Sequence, residues 1–257
     1  MSRFAVWIFS LLVLAVAPAG AQTSPARAAI DAALADSARP QADRDRDINR
    51  KPAECLVFAG VRPGDTVIEL LPGRGYFTRI FSGAVGPGGK VFAVSPPRKA
   101  PADGSAPKPS AVQLLAADPH YANVTALEEP LASVTAPRPA DLVWTSLNYH
   151  DAHNIPGLDM TAFNRSVLAA LRPGGIYIVI DHAAAPGSGA RDTNTLHRID
   201  PALVKSEVLA AGFEFAGETD ILRNPGDTHV QAVFDDSVRG HTDQFVLRFR
   251  RPESAPR

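Results

Sequence analysis

Two short polar clusters hold much of the chemistry this sequence can offer, Asn148-Tyr149-His150-Asp151 and Asp181-His182. Each follows an apolar run and carries side chains able to move a proton or hold a cation. An unperturbed histidine titrates at about pH 6.5, so His150 reads as a general base working near neutrality. Tyr149 can stack on or orient a substrate, and Asn148 can bond a ligand through its amide. Together with His153, the set of His150, Asp151, Asp181 and His182 could also take a divalent ion. His150-Asp-Ala-His153 matches no established ligand spacing, however, and no metal is assigned. The competing reading is that Tyr149 and His150 pack the mouth of a sheet and cap the loop that follows.

A second candidate lies upstream, where Glu69-Leu-Leu-Pro-Gly73-Arg-Gly75-Tyr76 reads as a strand end running into a glycine-rich turn. Glycines there let the backbone approach a ligand, and a carboxylate closing a strand can accept from ligand hydroxyl or amine groups. A tight turn that needs positive φ would demand the same glycines. The surrounding pattern decides what holds these residues. Thr66–Leu71 is apolar and strand-like, Phe77–Val85 has helical periodicity, Gly86-Pro-Gly-Gly closes that helix, and Lys90–Ser95 is a further strand, giving one βαβ unit. The same grammar returns with a strand over Asp141–Ser146, a helix over Thr161–Leu171, a turn at Arg172-Pro-Gly-Gly, a strand over Ile176–Asp181 and a helix over Pro201–Ala211. Such alternation predicts a parallel sheet with helices on both faces, with ligands beyond the carboxyl ends of the strands. Phe213–Ile221 and Gln244–Arg250 are expected to pair antiparallel at one edge.

The rest of the chain sets limits. Of 257 residues 45% are apolar and 21% charged, and 26 basic side chains face 27 acidic ones. That balance excludes disorder and leaves no broad basic field for nucleic acid. Arg3, the apolar run Phe4–Val16 and the small residues ending at Ala21 read as a secretory signal over 1–21. The run falls short of the roughly 20 residues that span a bilayer, so no stable membrane span is expected after cleavage; an uncleaved anchor is the alternative. Residues 22–51 read as a helical extension, in which the alternating charges of Asp43–Arg50 suggest a solvated face. Residues 52–252 form the main domain and 253–257 a tail. The 23 prolines thicken between 95 and 140, which predicts loops there. Cys55, the single cysteine, reads as core. Asp200 before Pro201 reads as a helix N-cap, although His197-Arg198-Ile-Asp200 could close over a pocket. The polar stretches Asn224–His229 and Arg239–Asp243 read as solvent-facing turns.

The Glu69–Gly75 turn, the Lys90 strand, the Asp141 strand ending in Asn148-Tyr-His-Asp, and Leu171-Arg-Pro-Gly-Gly come in an order and spacing that resembles the class I S-adenosylmethionine-dependent methyltransferases. More narrowly, Arg50-Lys-Pro-Ala-Glu before the first strand resembles a group of small exported bacterial methyltransferase-like proteins. The resemblance spans about 52–250. It implies an α/β, Rossmann-like three-layer sandwich with a seven-stranded, mostly parallel sheet and an antiparallel last strand. It also implies S-adenosylmethionine as cofactor and methyl transfer to a small molecule or envelope component in the periplasm or outside the cell. Glu69, Gly73, Gly75 and Tyr76 match the cofactor turn, with Asn148 beside it. Leu71 stands where many relatives have glycine, and Ser95 where a carboxylate commonly holds the ribose. Glu128 or Glu129, after the strand around Val124, would meet the adenine amine or form an exposed charged pair. Tyr149, His150, Asp151 and His182 would face the acceptor. Two other readings stay open: a metabolite-binding module on a degenerate methyltransferase fold, and a metal-assisted enzyme using Asp151, Asp181 and His182.

Overall fold

Alternating apolar strands and amphipathic helices build the sheet in the expected sequence of events. The computed structural model describes residues 24–99, 101–135 and 139–253; the expected signal at 1–21 and nearly all of the 253–257 tail lie outside the described residues. Helices α1 (Pro25–Leu34), α2 (Gln41–Arg44), α3 (Asp47–Arg50) and α4 (Pro52–Ala59) precede β1 (Thr66–Leu70). There follow α5 (Tyr76–Val85), β2 (Lys90–Ser95), α6 (Ala111–Ala116), β3 (Val124–Glu128) and β4 (Ala140–Ser146). The chain continues through α7 (Tyr149–Ala152), α8 (Met160–Ala170), β5 (Leu171–His182), α9 (Pro201–Ala210), β6 (Glu214–Thr219) and β7 (Gln244–Arg250).

The seven strands lie in the order β3-β2-β1-β4-β5-β7-β6, with β7 antiparallel to both β5 and β6 and the pairs from β3 to β5 parallel. This is a Rossmann-like sandwich. Strand side chains alternate between two cores. On one face Val67, Trp144 and Ile178 meet Phe77 and Phe81 of α5 and Ile30 of α1. On the other Ile68, Val143 and Val179 meet Phe163 of α8 and Val204 of α9. Trp144 sits fully buried, 4.8 Å from the Phe77 ring centroid and 5.3 Å from that of Phe81. Cys55 is buried in the first core, as expected, and burial pushes its thiol up to about 12. Asp200 caps α9 through Ala202 N at 2.9 Å. Among the described residues no helix is long and apolar enough to cross a membrane.

Several expectations need correction. The turn expected at Arg172–Gly175 is absorbed into the start of β5, where the backbone of Gly174 and Gly175 pairs with Arg251. The proline-thickened stretch still forms α6, whose Ser110–Gln113 capping box supplies a start signal. Asp43–Arg50 is not a solvated face: Asp47 pairs with the buried guanidinium of Arg39 at 2.7 Å, and Asp43 with Arg79 at 3.1 Å. The turns at Asn224–His229 and Arg239–Asp243 are solvent-facing only in part: Arg239, Gly240 and His241 are exposed, but Asp227 and Asp243 are buried.

Candidate functional site

At the carboxyl end of β1 the chain bends through three left-handed residues, Leu71 (φ 52°), Gly73 (φ 57°) and Gly75 (φ 81°). The two glycines have different reasons to be there. A side chain on Gly73 would project into open space, whereas one on Gly75 would lie 2.7 Å from Leu115 Cδ1. Gly73 therefore exposes backbone to a ligand. Gly75, read as a ligand-binding glycine, serves helix packing instead. A cavity of about 270 Å³ lies over this turn, lined by Arg46, Arg50, Glu69, Leu71, Gly73 and Asn148 among others. Leu71 narrows it without filling it.

Glu69 reaches that cavity from the α5 side of the sheet. It is buried and accepts from the Thr78 hydroxyl at 2.5 Å. Burial pushes its pKa up to about 8 in spite of that bond. Asn148 donates through Nδ2 to the Leu71 carbonyl at 2.9 Å, while its buried Oδ1 has no partner. An orphaned acceptor beside a cavity is a place for a ligand donor. The Tyr76 hydroxyl is not available to a ligand, since it donates to Asp47 at 2.6 Å.

A second cavity, of about 340 Å³, adjoins the first across Arg46, Arg50 and Leu147, which line both. His150, His182, Arg239 and Phe234 also face it. Ligand pockets commonly measure about 300–1,000 Å³; the first cavity falls just below that range, the second is at its small end, and the pair together lies well within it. His150 is gripped by Asp181, whose carboxylate accepts from its Nδ1 at 2.8 Å and its backbone N at 2.7 Å. Asp151 Oδ1 lies 3.3 Å from the other ring nitrogen. Burial acts against the imidazolium, but the two carboxylates outweigh it and raise the His150 pKa to about 10. The near-neutral titration expected of His150 is therefore absent: it is a cation at pH 7. His182 goes the other way, pushed down to about 4 by burial and then by the charges of His150, Arg198 and Arg50, with Asp181 opposing. Its Nδ1 meets Thr242 Oγ1 at 2.6 Å. The two imidazoles are thus driven apart, one charged and one neutral at pH 7.

The metal set of the sequence reading does not assemble. Both Asp181 oxygens are taken, by His150 and by the backbone N of His182. His150, Asp151 and His197 do bring one ligand atom each within 4.8 Å of one another. The hydrogen bonds of that trio are those of an ion-pair cluster around the His150 cation, with His197 edge-on to its ring at 5.5 Å.

Three further expectations place residues elsewhere. Tyr149 points away from both cavities into the α8–α9 core, donating to Glu207 at 2.8 Å and accepting from Asn164. It orients no acceptor; one residue step along α7 turns the side chain by about 100°. His153 follows it to Glu207 at 3.1 Å. Ser95 ends β2 and is not among the residues lining either cavity. Glu128 holds Arg98 at 2.8 Å, and Glu129 binds Thr135.

Sequence reasoning missed Arg46, Arg50, Leu147 and Arg239. Among the described residues, five non-glycine residues have positive φ: Lys51, Leu71, Leu147, His197 and His229. Leu71 and Leu147 line the cavities, Lys51 follows Arg50, and His197 borders His150. Strain concentrated at one end of a sheet points to function, and it has no signature in composition.

No protein-family model matches the chain, and no curated protein matches it. Solved structures do. An S-adenosylmethionine-dependent methyltransferase from Aquifex aeolicus superposes with TM-score 0.55 at 15% identity, over 87% of this chain and 97% of that one. One from Mesorhizobium loti gives 0.54 at 15% identity, over 80% of this chain and all of that one, 100%. The cyclase SpnF gives 0.54 at 16% identity, over 83% and 82%. The chain has the fold of the S-adenosylmethionine-dependent methyltransferases, and that fold also carries a cyclase.

Proposed function

We propose that the protein is an S-adenosylmethionine-dependent methyltransferase acting on a small molecule or envelope component, with the donor over the Gly73 turn and the acceptor in the neighbouring cavity. The observation that carries this is the pair of cavities meeting at Leu147, Arg46 and Arg50, with an unpartnered Asn148 Oδ1 on one side and two histidines on the other. The orphaned oxygen suits the ammonium of the donor, and the exposed backbone at Gly73 allows close approach. When bound, the donor supplies an activated methyl group: its carbon–sulfur bond breaks with the electron pair left on sulfur, and a bond forms to the acceptor's nucleophile. The chain's own contribution is alignment and removal of the proton. His182, neutral at pH 7, takes that proton, a role His150 cannot fill while protonated. Asp181 and Asp151 fix the His150 imidazolium, whose charge favours an ionised nucleophile nearby. With residues 1–21 as an export signal, the reaction belongs to the periplasm or the exterior.

Calorimetric titration with S-adenosylmethionine and S-adenosylhomocysteine tests the reading. Binding is expected in the wild type and its loss in Gly73→Val, where a branched side chain fills the approach. No heat at millimolar ligand would overturn it. The narrowing by Leu71 favours a second reading, a metabolite-binding module without turnover; methyl transfer to any acceptor removes it.

A further inference from the structure

Arg46 and Arg50 carry charge without a charged partner. All 27 acidic side chains lie among the described residues, and every ion pair at this end of the sheet goes elsewhere. Asp47 binds Arg39 and the Tyr76 hydroxyl, Asp43 binds Arg79, and Asp151 and Asp181 hold His150. Glu69, the remaining acid of the first cavity, is kept protonated near neutrality by burial. Both guanidinium groups instead lie over the Tyr76 ring, at 5.3 Å for Arg46 and 4.6 Å for Arg50. Placement over the ring leaves guanidinium N–H groups to donate to an anion. Burial, followed by the charge of Arg46, lowers the Arg50 pKa to about 10. Arg50 is half-buried beside the exposed Arg46, and holding the two like charges together costs stability that is offset where a ligand brings the opposite charge.

The larger cavity adds a third cation and an apolar surface. Arg239 is held in place by the Phe234 carbonyl, and its nearest carboxylate is that of the exposed Asp236 at 3.7 Å. Leu147, Val233 and Phe234 supply the apolar lining. We propose that this cavity binds a small organic anion, a carboxylate or phosphate ester with a flat apolar body, as the methyl acceptor. The anionic group meets Arg46, Arg50 and Arg239, the body lies on Val233 and Phe234, and the nucleophile is presented towards His182. The word acceptor rests on the methyltransferase reading; the anion site does not.

The test titrates the protein with para-hydroxybenzoate, phenyl phosphate and the neutral isostere para-hydroxybenzamide, alone and with saturating S-adenosylhomocysteine. The anions are expected to bind with the homocysteine ligand in place, and the amide about tenfold more weakly or worse. The stronger of the two anions identifies the ester or carboxylate class. Arg239→Met is expected to weaken the anions about tenfold while leaving S-adenosylhomocysteine binding unchanged, and Arg50→Met to weaken both ligands. Equal binding of amide and carboxylate, or displacement of the anion by S-adenosylhomocysteine, overturns the proposal. The competition uses wild-type protein, so it does not depend on the variants folding. Anion binding without S-adenosylhomocysteine binding would sink the methyltransferase reading and leave the anion site standing.

Discussion

Glu69 is a carboxyl group that the fold keeps protonated at neutral pH. Its pKa rises from the ordinary 4.5 to about 8, so the folded chain binds this proton more tightly than the unfolded one. The stability it contributes is fully present below about pH 4.5, falls as pH climbs towards about 8, and is lost beyond. Glu69→Gln can still accept from Thr78 and removes the titration. Denaturant unfolding is expected to show variant and wild type nearly equal at about pH 4.5, with the variant more stable on the order of a few kcal/mol at about pH 9. An equal gap at both pH values would show that Glu69 is ionised in the fold. At this scale the sequence was legible in part. Glu69, Gly73, Asn148, His150 and His182 do line the two cavities, because residue type and position after a strand already imply it. Tyr149 and Gly75 were misread because a single turn of backbone sends adjacent residues to opposite surfaces.

The helices raise a question of sign. Gly83 lies in α5, and a methyl group there would fall 2.7 Å from Ala33 Cβ and 3.1 Å from its Cα on α1. In a free helix Gly→Ala stabilises by about 1 kcal/mol. With α1 seated on α5, Gly83→Ala is expected instead to destabilise by about 1–3 kcal/mol through overpacking; thermal unfolding distinguishes the two. The strands and main helices were readable from periodicity, and β2 and β7 match their expected limits residue for residue. The Asp43–Arg50 segment was not, for an identifiable reason. Alternating charges look solvated when the partners of Asp43 and Asp47 are Arg79 and Arg39, and no local pattern announces a pairing across 36 residues. The turns at Asn224–His229 and Arg239–Asp243 were read only in part, since their exposed turn-forming residues conceal the buried Asp227 and Asp243.

Across the whole molecule, the long connection from β6 to β7 is tied down by one buried ion pair. Arg198 meets Asp227 at 2.8 Å with both side chains wholly buried, and its remaining N–H groups reach the carbonyls of Ala183 and Gln231. Asp227 in turn accepts from the backbone of His229 and Asp243. This connection lines the cavity beside His150 and His182 through Val233, Phe234, Arg239 and Gly240. Removing one partner of such a pair leaves an uncompensated charge, so Arg198→Met is expected to cost roughly 3–5 kcal/mol. Hydrogen exchange is expected to rise first over 227–243; uniform loss of protection would show that the connection has no stability of its own. The central strand, finally, provides a means of observation. The chain has two tryptophans, Trp7 and Trp144, and Trp144 is the one among the described residues. It lies against Phe77, which lines the cavity over the Gly73 turn. Trp144 emission thus arises one ring away from that cavity, and it can follow both occupancy of the cavity and melting without a label.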